Sequence, residues 1–279
     1  MAVAAYVGLA HSQTNQVPST PPSHRALPDD NLGYPILITM RVGTGSGFYL
    51  NTGTAIYLVT AAHVLYDPDS GPDSGQLRDT TFDLLSYSGD PSDLSPNCVT
   101  VDTKRLEAGS IRRHPAMDVV AMKVFKFGET ERYILPLPGV QLQEQARHGI
   151  LSVGMVNVAR FADVLVGNDV ILFGYPTSLG LRPMPQIDLK RPLLRKGIVA
   201  GENRANHSII LDCPAYAGNS GGPVVEVDNE NAFNRRYRII GVVDQFVPYT
   251  PAGIPQGAVA ANSGYSVIIP MDYVLELVQ

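Results

Sequence analysis

From Tyr34 onward, short apolar runs alternate with clusters of Gly, Pro, Asn, Asp and Ser. Ile36–Val42, Gly47–Leu50, Ala55–Thr60 and Val119–Val124 are dominated by β-branched and aromatic residues and bounded by turn signals, so they read as strands. The run at Val119–Val124 has the near-continuous apolar character of a buried strand. A second set follows at Asp169–Tyr175, Lys196–Ala200, Ser208–Asp212, Pro223–Val227, Tyr237–Gln245 and Tyr265–Ile269. Residues 67–80 are too polar for core and read as a surface loop, and residues 131–165 are weakly patterned, as expected of a bridge between two halves. At the C-terminus, Met271, Val274, Leu275 and Val278 follow the i, i+3, i+4, i+7 spacing of one amphipathic helix, with Pro270 at its start. Two sets of short strands with few helices predict an all-β chain built as two barrels or sandwiches.

Composition narrows the picture. A chain of 279 residues makes one large or two small domains and can bury a sizeable core. With 44% hydrophobic and 17% charged residues, it is a packed globule rather than a disordered chain. The formal net charge of −5 offers no basic footprint for nucleic acid or an anionic membrane, so neither partner is expected. No apolar run is long enough to span a bilayer. The apolar start, Met1–Ala10, lacks a preceding basic segment, which tilts the expectation from a secretory signal toward the cell interior without fixing a compartment. Residues 11–33 are rich in Ser, Thr, Pro, Asn and Gln and read as an extended or disordered arm. The two cysteines, Cys98 and Cys213, form no CxxC pair or zinc framework and read as buried thiols.

The candidate chemistry centres on Gly218-Asn219-Ser220-Gly221-Gly222-Pro223. A serine in so glycine-rich a turn can expose its oxygen where backbone N–H groups converge on the oxyanion formed when it attacks a carbonyl. A serine hydroxyl is a poor nucleophile near neutral pH, and it needs a base within reach and a group that orients the base. His63, after the strand at Ala55–Thr60, suits the base; Asp118, directly before the strand at Val119–Val124, suits the orienting carboxylate. All three stand at strand ends, where a rigid scaffold can present them. The Gly43–Gly47 run reads as a tight hairpin rather than a nucleotide loop, because a strand and not a helix follows it. His114 reads as a surface residue and His207 as structural. No metal signature occurs, and neither a metal nor another cofactor is expected.

These pieces resemble the trypsin-like serine peptidases of the chymotrypsin superfamily, in particular the HtrA/Deg-like branch. Gly45–Phe48, Val59–Val64, Asp118–Val124, Gly167–Pro176, the hexapeptide, Ile239–Val243 and Gly264–Pro270 carry the resemblance, which covers about residues 34–279. It implies two six-stranded antiparallel β-barrels with the site in the cleft between them and a short C-terminal helix. The expected division is an arm over 1–33, an N-terminal barrel over 34–130, a connection over 131–165, a C-terminal barrel over 166–270 and the helix over 271–279. It implies His63 as base and then acid, Asp118 as orienter, Ser220 as nucleophile, and the Gly218 and Ser220 N–H groups as the oxyanion hole. The implied specificity pocket has walls at Pro214-Ala215-Tyr216 and at Val243, Asp244, Gln245 and Phe246.

Two departures qualify the likeness. Asn219 cannot make the ion pair by which digestive relatives are activated, so activation by N-terminal cleavage is not expected. With the sequence ending at Gln279, a PDZ domain is not expected. Pro214 and Ala215 bring no acid to the pocket, which favours a small or medium apolar residue before the scissile bond. Asp244 admits two placements, beside Asp118 or inside the pocket, where it would favour a cation. The expected activity is cleavage of peptide bonds in a polypeptide substrate. A catalytically silent scaffold on the same fold and an esterase or acyltransferase are the alternatives.

Overall fold

The computed structural model describes residues 5–6, 27–67, 75–90, 92–128, 133–143, 149–175, 186–231, 234–249 and 261–279. The first half contains β1 (Ala5–Tyr6), α1 (Asp29–Leu32), β2 (Pro35–Met40), β3 (Gly43–Asn51), β4 (Ala55–Ala61), α2 (Ala62–Leu65), β5 (Thr81–Ser86) and β6 (Asn97–Asp102). It continues with β7 (Ile111–Arg113), β8 (Val119–Phe127), β9 (Tyr133–Pro136), β10 (Val140–Leu142) and β11 (Val153–Gly154). The second half contains β12 (Asp169–Gly174), β13 (Leu193–Asn203), β14 (Ser208–Asp212), β15 (Pro223–Asn231), β16 (Asn234–Tyr249), β17 (Ala261–Pro270) and α3 (Met271–Val278).

The first half is a curled sheet in the order β1-β9-β8-β4-β3-β2-β5-β6-β10, with β7 against β8 and β11 parallel to β3. The second half closes as a six-stranded barrel, β12-β13-β14-β17-β16-β15. The second unit thus closes through its ladder, whereas the first is curled without a closing pair between β9 and β10. Much of 133–154 belongs to the first sheet through β9, β10 and β11, and a parallel bridge, Val158–Ile239, links the connection to the second. The arm assigned to 1–33 lies largely outside the described residues. Within it, β1 pairs with β9, Asp29–Leu32 form a helical turn, and Leu27 is buried. Pro176 and residues 68–74 of the polar loop also lie outside the described residues.

Every residue of β4 is buried, because the strand separates two cores. Ile56 and Leu58 face the interior of the first sheet, and Ala55, Tyr57 and Val59 face the junction between the halves. β8 divides the same way, with Val120, Met122 and Val124 on one side and Val119 and Ala121 on the other. Burial on both faces explains the unbroken apolar runs. Phe173, Val225, Ile239, Val242 and Ile269 of the second half complete the junction, which Met271, Val274 and Leu277 of α3 seal from one side. The second barrel fills its own interior with Val170, Leu172, Val199, Leu211, Val224 and Ile268 among others.

The glycines of the hexapeptide answer to this junction. Gly221 has φ +84°, and a Cβ there would strike the Thr60 hydroxyl and the Ser46 carbonyl of the opposite half. Gly221→Ala is therefore expected to destabilise the fold by about 3 kcal/mol or more, combining a left-handed backbone with a clash against backbone that has no room to retreat. Urea unfolding of the variant beside the parent checks this. A change under about 1 kcal/mol would mean that the halves can part at this point.

Candidate active site

The ladder between β4 and β8 brings His63 and Asp118 together. Ala61 pairs with Val119, so the residues just past one strand and just before the other become neighbours. Three contacts fix them. The Ala62 N–H donates to the Asp118 carbonyl at 3.0 Å and the His63 N–H to Asp118 Oδ1 at 2.8 Å. The other carboxylate oxygen, Oδ2, bonds His63 Nδ1. This two-point grip fixes both the main chain and the ring of His63. Burial pushes the Asp118 carboxyl up, but the hydrogen bonds and charge of His63 outweigh it and hold the group below the usual carboxylate range.

Ser220 arrives from the second half on a clasped turn. The Asn219 N–H donates to the Tyr216 carbonyl at 2.9 Å, and Gly218 between them has φ +89°. A turn closed that way with positive φ at its third residue is type II. A type I turn would turn the central peptide over, so the turn type sets where the Gly218 N–H points. Among the described residues, the N–H groups of Gly218 and Ser220 donate no hydrogen bond. Asn219 is buried, and its side-chain oxygen accepts the Tyr216 N–H at 2.9 Å. The position therefore closes the turn from within and has no need of a charged partner.

Ser46, which the sequence alone did not single out, joins the halves. Its hydroxyl donates to the Gly218 carbonyl at 2.6 Å and accepts the Tyr175 N–H at 2.9 Å. Its own N–H donates to the Ser220 carbonyl at 3.0 Å, while the Thr60 hydroxyl donates to the Ser46 carbonyl at 2.7 Å. Ser220 is thereby tied through Ser46 to Thr60, three residues before His63. Its hydroxyl donates to the Asp244 carbonyl at 3.2 Å.

Asp244 takes the first of its two placements. One oxygen of its carboxyl group, one oxygen of Asp118 and one ring nitrogen of His63 all lie within 4.8 Å of one another, and the two carboxyl groups share a hydrogen bond. Burial first, and the neighbouring Asp118 carboxylate second, push the Asp244 carboxyl up to about 6. These three residues carry a donor set that a metal ion could use. However, His63 Nδ1 is already committed to Asp118 by a hydrogen bond, so they read as a proton-bonded chain.

Of the remaining wall residues, Ala215 and Val243 are buried, Pro214 is half-buried, and Tyr216 and Gln245 are exposed. The Asn262 side chain donates to the Ala215 carbonyl at 2.6 Å, and Arg195 lies over the Tyr216 ring at 4.5 Å. His114 is buried, not on the surface as its neighbours in sequence suggested. Its Nδ1 accepts the N–H groups of Ala116 and Met117, and its Nε2 bonds Glu276 on α3 at 3.0 Å. It thereby ties the turn carrying Asp118 to the C-terminal helix, a role visible only once the chain is folded.

In solved structures the chain is similar to the HtrA-type protease AlgW with tripeptide, at 15% identity and a TM-score of 0.47, over 88% of this chain and 58% of that one. It is similar to Deg5 at 16% identity and a TM-score of 0.42, over 88% of each chain. The serine endoprotease from Yersinia pestis aligns at 14% identity and a TM-score of 0.41, over 94% of this chain and 66% of that one. The chain thus spans between about three fifths and two thirds of AlgW and the Yersinia enzyme. No curated protein matches it. Residues 45–231, more than half of the chain and including His63, Asp118 and Ser220, match the trypsin-like peptidase domain, and the chain belongs to that family.

Proposed function

We propose that the chain is a serine endopeptidase acting through an acyl-enzyme, with Ser220 as nucleophile, His63 as general base and then acid, and Asp118 as orienter. The observation that carries this reading is the double grip of Asp118 on His63, beside a serine held in a rigid turn. With Nδ1 bonded to a carboxylate, the imidazole presents Nε2 as the free base and the positive charge gained on protonation is stabilised.

In the proposed reaction, Ser220 Oγ first leaves the Asp244 carbonyl by rotating about χ1 into another staggered well. Its proton passes to His63 Nε2 as Oγ adds to the scissile carbonyl. The Gly218 and Ser220 N–H groups, uncommitted among the described residues, receive the oxyanion. His63 then protonates the leaving amine, and water repeats the sequence to release the acyl group. Pro214, Ala215, Tyr216 and Val243 bring no acid, Asp244 is engaged with Asp118, and Arg195 adds positive charge beside Tyr216. This favours a small or medium apolar side chain before the scissile bond over lysine or arginine.

The test is labelling with a fluorophosphonate, the modified residue located by mass spectrometry, followed by a peptide library. Labelling at Ser220 with cleavage after small apolar residues is the expected result. Labelling without peptide cleavage would point to an esterase or acyltransferase, and absence of labelling to a silent scaffold.

A further inference from the structure

Ser46 is fully buried at the junction between the halves, and its hydroxyl has one way to bond there. Oγ accepts the Tyr175 N–H, and its single proton goes to the Gly218 carbonyl at 2.6 Å. That carbonyl belongs to the peptide whose N–H, on Asn219, donates to the Tyr216 carbonyl at 2.9 Å. The Gly218–Asn219 peptide is therefore held at both ends. The main-chain N–H of Ser46 meanwhile holds the Ser220 carbonyl at 3.0 Å. One residue of the first half thus grips the carbonyls of the two residues whose N–H groups are offered to the oxyanion.

Gly218 is where a grip matters. Lacking a Cβ, it turns about φ and ψ at little cost, and its φ of +89° is one of several open to it. Any residue but proline at position 46 could make the main-chain bond to Ser220, whereas the bond to Gly218 needs a side-chain donor. Without that donor, the Gly218 carbonyl and the Tyr175 N–H, both on buried residues, would be left unpaired.

We propose that Ser46 is a positioning residue for the oxyanion hole: its hydroxyl, oriented by Tyr175, clasps Gly218 so that the Gly218 and Ser220 N–H groups stay aimed at one oxygen. This rests on the peptidase reading of the site. Ser46 acts through the turn and has no contact with substrate to make. Its effect therefore belongs to the step in which charge develops on that oxygen, and falls on kcat rather than KM.

Ser46→Ala keeps the main-chain bond and removes the clasp. Its kcat is expected to fall by about 10², the scale of a small misplacement of groups that meet the transition state, with KM within about twofold of the parent. The amide resonances of Gly218 and Ser220 should gain exchange broadening on the microsecond-to-millisecond scale. Ser46→Cys, close in volume but a poor donor, is expected to fold and to lose about tenfold in kcat. Val274→Ala, which opens space in the same junction from α3, serves as the control, losing stability and keeping kcat.

A folded Ser46→Ala protein with parental kcat overturns the proposal, and so does one whose Gly218 amide stays sharp. If Ser46→Ala does not fold, parental kcat in Ser46→Cys overturns it equally. A loss in Val274→Ala as large as in Ser46→Ala would reduce the effect to stability and also overturn it. The amide measurement needs no turnover, so it keeps the two readings apart. A loosened turn in Ser46→Ala, with no fluorophosphonate labelling of the parent, would retain the clasp and reject the peptidase. A labelled parent whose turn and kcat survive Ser46→Ala would do the reverse.

Discussion

Replacing Ser220 by alanine is expected to lower kcat by about 10⁶, the scale seen when the nucleophile of an acyl-transfer site is removed. The size follows from the division of labour. His63 and Asp118 exist to move one proton, and without the Oγ they have no proton to move. Binding and the oxyanion donors would remain, so the variant should still bind a peptide and keep a trace of activity above that of water. Stability should change by less than about 1 kcal/mol, because the hydroxyl makes one part-buried hydrogen bond, to a main-chain carbonyl. The contacts that seat the turn, from Ser46 to the Ser220 carbonyl and to the Gly218 carbonyl, use atoms alanine retains or does not touch. Progress curves at high enzyme concentration, with a thermal melt of each protein, measure both parts. Full activity in the variant would move the nucleophile elsewhere.

The strands that carry the site were the most legible part of the sequence. β4 is buried on both faces and β8 over most of its length, so their apolar residues run almost without interruption, Thr60 in β4 and Lys123 and Lys126 in β8 aside, and stand out in any window. β5 and β6 did not stand out. Each buries one face only, through Phe82 and Leu84 in one and Val99 and Val101 in the other, with polar residues between. Two apolar positions are a weak signal against a background of loops. Arg41 and Val42, read as the end of a strand, form instead the two-residue turn of the β2–β3 hairpin. Both are exposed, and the pairing of Met40 with Gly43 fixes the turn in a way that composition does not reveal.

At the site, a histidine after one strong strand and an aspartate before another were visible because local pattern marks strand ends. Their meeting depends on the register of Ala61 with Val119, which is a tertiary fact. His114 shows the limit from the other side. Its partners are two main-chain N–H groups close by and a glutamate 162 positions away on the last helix. Asp244 could be named from its neighbours but not oriented, since both directions open to it held plausible chemistry.

The second large effect concerns that meeting. Asp118→Asn is expected to fold normally and to lose about 10⁴ in kcat, as in the template triad. The geometry says which way the amide will sit. Asp118 Oδ1 accepts the His63 N–H at 2.8 Å, and only the carbonyl oxygen of asparagine can take that place. The NH₂ group is then delivered to the position of Oδ2, facing His63 Nδ1. A donor there obliges Nδ1 to accept, so the imidazole proton moves to Nε2 and the free base no longer faces Ser220. The ring stays in place and its tautomer is reversed. Two observations check this: kcat itself, and the nitrogen shifts of the His63 ring, which report where its proton resides. Loss of rate with the tautomer unchanged would mean that Asp118 acts through charge alone. An unaltered rate would transfer the orienting role to another carboxylate, and Asp244, within 4.8 Å of the same imidazole, would be the first to test.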